Sequence, residues 1–391
     1  MAKLAGTLEN GLCFESQIAH MKKLFVLISL VIFLASCNSN VRGIFVKKTV
    51  REKYEDRVEK LYPNEGRTWK NAGALALLQP LTIAAPYAEI GSLHGDSADV
   101  SSFRFSIKAG QNIQVKLTKL DTPFTAYTEL WKVDASGTPN FLNIADTALG
   151  QLDQPSLQAG EYIVRMQPEL RARGKYRFSL LLTPLLGNPI YSGVKNNIGS
   201  LWGDSRDAGG RSHEGIDIFA KKGSYVVAVD DGVVRRIGDG GIGGKVVWLS
   251  PDDYNISVYY AHLDTQLVQS RQRVKKGDIL GTVGNTGNAK FTPAHLHFGV
   301  YTGYGAVDPL AFVQDVKPAA EPKGSDKLNS WVKTMAKSKL YPSPEKKNAM
   351  VITDALNVKT QSISGSFYRV ILENGMRGFI PEGDIKNKTK L

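Results

Sequence analysis

Apolar and polar positions alternate with a period of two along much of this chain. Phe103-Arg104-Phe105-Ser106-Ile107, Ile113-Gln114-Val115-Lys116-Leu117 and Tyr176-Arg177-Phe178-Ser179-Leu180 each put an apolar residue at every second place. Alternation of this kind sends one strand face to a core and the other to water. The turn signals Lys108-Ala109-Gly110 and Gln158-Ala159-Gly160 precede two such runs. Regular spacing of short strands predicts a β-sandwich over residues 87–184. A second, Gly-rich block at 190–313 has strand-like runs at 225–229, 232–237, 245–249 and 257–260 with no long helical period, which predicts an antiparallel β domain. Residues 314–325 include Lys317-Pro318-Ala319-Ala320-Glu321-Pro322-Lys323-Gly324-Ser325 and read as a linker to a small β module at 326–391. Helix-like patterning is confined to 50–61 and 72–78, read as a stalk or connector within 38–86. The fold class is mainly β and multidomain, as 391 residues allow.

The beginning of the chain differs. Met21-Lys22-Lys23 precedes an apolar run over 24–35 that ends in Leu34-Ala35-Ser36-Cys37. A basic start and about a dozen apolar residues make a signal peptide, too short for a comfortable span. Leu-Ala-Ser-Cys resembles the bacterial lipobox, which implies lipid on Cys37, an upstream extension before Met21, and a chain anchored to a membrane rather than spanning it. Asn38 is compatible with an outer-membrane address facing the periplasm. The two cysteines, Cys13 and Cys37, both lie in the first tenth of the chain, so the globular part has no disulfide framework.

Charge narrows the partners. The net charge is +12, and residues 317–391 hold 14 Lys and Arg against 7 Asp and Glu, over half of that excess. A basic surface favours anionic polymers or head groups. No RNA-binding signature or basic helix repeat accompanies it, so nucleic acid is not expected.

Four of the six histidines fall in the Gly-rich block. They stand in His213-Glu214-Gly215-Ile216-Asp217, Tyr260-Ala261-His262-Leu263 and His295-Leu296-His297-Phe298. On a strand, His295 and His297 share a face while Leu296 and Phe298 pack behind. Asp217 sits between two isoleucines in a strand entered from a glycine turn, which differs from the helical H-E-x-x-H motif and leaves Glu214 without that motif's role. Histidine and carboxylate are the usual N and O ligands of Zn²⁺, and a catalytic site keeps three with one position open. Two imidazoles remain for proton transfer. His94 reads as an exposed loop residue, and Tyr259, Tyr260 and Tyr301 as strand packing.

H-E-G-I-D-I, Y-A-H-L, G-N-T-G and H-L-H-F in this order resemble the M23 family of zinc metallopeptidases, the lysostaphin/LytM-type cell-wall endopeptidases. Trp202-Gly203-Asp204, Arg206, Gly232-Val233-Val234 and Val274-Lys275-Lys276-Gly277-Asp278 agree with it. The likeness covers about 190–312. It implies that His213, Asp217 and His297 hold one Zn²⁺ and that His262 and His295 are the catalytic pair, without assigning which is the base. It also implies an enzyme cutting peptidoglycan cross-links, which the lipobox would make lipid-anchored; the outer-membrane address read from Asn38 favours a D-alanine bond over a glycine bridge. The alternatives are a non-catalytic or latent activator of other cell-wall hydrolases, and a metal-binding periplasmic protein without hydrolase activity. The 87–184 block resembles prepeptidase-type sandwiches. The C-terminal block resembles a bacterial SH3-like module, which implies wall targeting, and envelope proteins are possible partners. By analogy with latent relatives, residues 189–197 either cover the groove or form an ordinary connector.

Overall fold

A computed structural model describes residues 47–95, 99–206, 209–323 and 327–386. The signal segment and Cys37 lie outside the described residues. The chain divides into a unit ending at Lys53 and a unit from Tyr54 to Leu391, and the architecture below belongs to the second.

Within it, a five-stranded sheet and part of an eight-stranded one face each other over residues 81–184. Their inner faces supply Phe103, Phe105, Val115, Leu130, Val164 and Phe178, all buried. Alternation places these side chains inward, as the sequence pattern requires. The helix Pro63–Leu78 does not stand free as a connector. Its Trp69 is buried against Tyr54 and Tyr127, and the indole N–H donates to the Pro168 carbonyl at 2.7 Å.

The C-terminal strands continue the eight-stranded sheet. Asn357–Ser364 pairs antiparallel with Tyr87–His94, with Ile90 opposite Ile363 and Gly91 opposite Ser362. Beneath the junction lies Glu89, with no exposed surface, against Arg369, itself buried. Arg369 Nε and Nη2 each donate to the Glu89 carboxylate at 3.0 Å. Tyr87, Tyr176 and Ser362 donate to the same carboxylate, and Arg369 Nη2 also reaches Ser101 Oγ. A fully hydrogen-bonded buried pair of this kind holds the two blocks in one register. The segment between the two β blocks also lies along the sandwich, where Glu321 pairs with Arg177 at 2.8 Å.

The middle block is a ten-stranded antiparallel arrangement. Its central strand, His295–Thr302, lies between Ile216–Ala220 and Ser257–Gln266. One face of these strands forms the core with Ile216, Ile218, Val258, Tyr260, Leu296, Phe298 and Val300. The other face is left for the polar side chains. The short helix Leu310–Val313 closes the block, and its buried Phe312 packs where a Cβ on Gly110 of the sandwich would stand, 2.2 Å away.

Candidate functional site

Strand register builds the site. Asp217 is directly opposite His297, and Ala261, next to His262, is opposite His297 on the other side. Because Ile216, Ile218, Leu296 and Phe298 take the core face, Asp217, His295 and His297 must take the opposite one. His213 enters from the preceding turn, where Gly215 clears the way. A Cβ there would lie 2.6 Å from His297 Cε1 and 2.7 Å from the Phe298 carbonyl oxygen.

Three donor atoms converge. His213 Nε2 is 3.0 Å from His297 Nδ1, and both are 3.1 Å from Asp217 Oδ1. Zinc bonds of about 2.0–2.1 Å in a tetrahedron require ligand edges of ~3.4 Å, so a slight spreading of this triangle accommodates the ion. The donor set is also prepared electronically. His213 Nδ1 lies 2.8 Å from the Leu201 carbonyl, which can only accept. The proton is thereby held on Nδ1, and Nε2 presents a lone pair. Asp217 Oδ2 accepts from Arg206 at 2.7 Å, which leaves Oδ1 for the metal. Burial raises the Asp217 carboxyl's pKa, but its close contacts with the His213 and His297 rings outweigh burial and hold the group ionised far below the usual carboxylate range.

The other two imidazoles face the same space. His262 Nδ1 is 2.9 Å from the Thr286 carbonyl, and His295 Nδ1 is 2.9 Å from the Pro293 carbonyl. Both therefore carry the proton on Nδ1 and turn Nε2 into the cleft. Their ring centroids are 5.1 Å apart. Burial first, and then the charges of His295 and His297, push His262 down to about 4, so it is neutral at pH 7 and able to accept a proton.

His262 has a left-handed backbone, with φ of 60°. Two glycine turns clamp it. Its N–H donates to Gly243, and Thr286 Oγ1 ties the turns by accepting from Lys245 N and donating to the Leu263 carbonyl. Gly244 has φ of 62°, and a Cβ there would lie 2.3 Å from Thr286 Oγ1 and 2.4 Å from Gly287 N. Gly244→Ala is therefore expected to displace His262 without touching the three converging donors. Turnover in the reaction proposed below should fall by about a hundredfold, as for a ~1 Å misplacement, while the three donors keep their capacity for one zinc ion. Metal analysis alongside kcat checks this.

All five residues singled out by spacing thus meet in one cleft of about 800 Å³. His94 does not join them; it ends a sandwich strand and contacts Asn329. Tyr260 is core, its hydroxyl accepting from Val229 N, whereas Tyr259 and Tyr301 line the cleft. The segment 189–197 does not cover the groove. Val227 N donates to the Pro189 carbonyl, Tyr191 N to that of Tyr225, and Asn196–Ser200 runs as a strand beside Ile216–Ala220. Arg206, already part of the family likeness, is linked at 2.7 Å to Ser200, which motif spacing gave no reason to select.

Comparison with known proteins finds relatives of this block. Residues 211–309 match the model of peptidase family M23. The L-Ala–D-Glu endopeptidase of Bacillus subtilis is 38% identical over 117 residues, 28% of this chain and 36% of that protein. The murein hydrolase activator NlpD of Salmonella dublin is 37% identical over 103 residues, 26% of each. The catalytic domain of lysostaphin from Staphylococcus simulans shares 30% identity over 30% of this chain and 91% of its own, with a TM-score of 0.27. The chain spans about a quarter to a third of the length of these two curated relatives. The matched block, about a quarter of the chain, is an M23 peptidase domain.

Proposed function

We propose that this chain is a zinc endopeptidase that hydrolyses peptide bonds of bacterial peptidoglycan. The observation that carries the reading is the second pair of imidazoles. Three donors suffice to hold a metal; His262 and His295 add two oriented Nε2 atoms beside it, which metal binding alone leaves without a purpose.

His213, Asp217 and His297 would hold the ion. Bound zinc supplies a water acidified towards pKa ~7 and a Lewis acid for the scissile carbonyl. The chain's own groups do the rest. One of His262 and His295 accepts the proton of the attacking water at Nε2; the other, protonated, stabilises the carbonyl oxygen or hands a proton to the leaving amine. The carbonyls of Thr286 and Pro293 keep each ring in the orientation this exchange needs. Arg206 keeps the second oxygen of Asp217 engaged. The basic C-terminal block, read as an SH3-like module, suits an anionic wall polymer. A lipid on Cys37 would hold the enzyme at the cell envelope, at the outer membrane facing the periplasm.

The name of the Salmonella relative motivates a second reading, an activator of other wall hydrolases that does not itself cut. Incubation with purified sacculi separates them. Release of peptide fragments that a chelator and His295→Ala both abolish supports the enzyme. Absence of release from folded, zinc-loaded protein across several wall chemistries supports the activator.

A further inference from the structure

Beyond the metal, the same sheet face carries an aromatic cluster that the chemistry above does not use. Trp248 and Tyr259 face each other on adjacent strands, with ring centroids 4.4 Å apart. Tyr301 stands 5.2 Å from Trp248 and 6.4 Å from Tyr259. Tyr259 in turn lies 5.9 Å from the ring of His297. All three are partly exposed, and Tyr259 and Tyr301 line the cleft with the histidines. Gly299, between His297 and Tyr301 on their shared face, adds no side chain there, and a Cβ would come within 3.1 Å of the Tyr301 ring. Glu214 near Tyr301 and Arg236 near Tyr259 flank the cluster with one charge of each sign.

We propose that Trp248, Tyr259 and Tyr301 form a sugar subsite, which stacks the muramic-acid ring bearing the peptide to be cut. The inference rests on the peptidase reading. Aromatic faces carry negative quadrupole density, and the axial C–H bonds of a pyranose present the matching positive edge. The hydroxyl and indole groups at the ring margins meet the sugar's polar substituents. Few other parts of peptidoglycan are flat, amphipathic and ring-sized.

Reach then selects the bond. Same-face residues on a strand are ~6.8 Å apart, so the cluster spans about 6 to 13 Å from His297. The lactyl group and first amino acid carry the chain ~7 Å from the sugar to the bond between the first and second stem residues. A cross-link bond after the fourth residue lies ~17 Å away when extended. With a ring on the aromatic cluster, the bond nearest the glycan reaches the end of the cleft where His297 stands with the other two converging donors, and the D-alanine cross-link expected from the sequence overshoots it.

The test uses the full zinc-loaded chain and two substrates, an N-acetylmuramoyl stem peptide and the same peptide N-acetylated without sugar. The muramoyl substrate should be cut between its first two residues with kcat/KM about five- to tenfold higher, mostly through KM. Trp248→Ala, and Tyr301→Leu as the milder variant, should bring the ratio towards one. Binding is read separately: muramoyl peptide should quench fluorescence that Trp248→Phe removes. Equal turnover of both substrates without quenching, or cleavage only at bonds further along the stem, overturns the subsite and leaves the peptidase standing. Quenching without hydrolysis of either substrate upholds the subsite and overturns the peptidase.

Discussion

Asp217→Asn is expected to lower zinc affinity by roughly two orders of magnitude or more, although an oxygen donor remains. The reason is the charge balance of the cleft. In the native site the carboxylate faces a guanidinium at 2.7 Å, so the site is neutral before the ion arrives. With asparagine, Arg206 becomes an uncompensated cation beside two neutral imidazoles. At ~5 Å and an effective dielectric of ~20, each unit charge is worth about 3 kcal/mol to its neighbour, some of it screened because Arg206 is partly exposed. Asp217→Ala should bind zinc more weakly still, and the double variant with Arg206→Ala should recover part of the loss. Competitive zinc titration reads all three. His295→Ala supplies the contrast, with metal retained and hydrolysis down by about 10² to 10⁴. Retention of native zinc affinity by Asp217→Asn would remove Asp217 from the ligand set.

Glu89→Ala should be the most destabilising single change far from the cleft. It leaves Arg369 buried and charged without its partner, a situation that costs about 3–5 kcal/mol. That is a large part of the stability a domain has to lose. Glu89→Leu combined with Arg369→Met removes both charges and should regain most of the loss. Urea unfolding monitored by far-UV circular dichroism checks the pair. The sandwich and C-terminal signals should shift together, because the strands share one sheet. Separate transitions would contradict the coupling.

The residues of the cleft were legible because their spacing is also their geometry. His295 and His297 must share a face on a strand, and Asp217 between Ile216 and Ile218 must oppose the core. The partners that tune them were not. Leu201, Pro293 and Thr286 act through main-chain carbonyls, which any residue supplies. Arg206 agreed with the family likeness, but its pairing with Asp217 comes from the turn and had no local signal. The sandwich strands could be read from period two, but their continuation into Asn357–Ser364 could not. Glu89 and Arg369 sit in separate short strands, and neither local pattern predicts a fully buried charge. The helix Val50–Leu61 was visible from its periodicity. The packing of Trp69 under the sandwich was not, since Pro63–Leu78 carries its buried Trp69, Gly73 and Ala76 among weakly apolar neighbours.

The junction also sets an order of events. Glu89 leaves the ribosome 280 residues before Arg369, an interval of roughly a quarter-minute to a minute at ordinary elongation rates. During that time Tyr87–His94 carries a carboxylate whose native site demands a cation not yet made, and its outer edge lacks the strand that will cover it. The sandwich, though encoded early, cannot close in its native form until the C-terminal strands arrive. A chain cut short after the cleft would keep all three converging donors and still be marked by an unfinished sandwich, so that the loss of the C-terminal strands is registered far from the cleft.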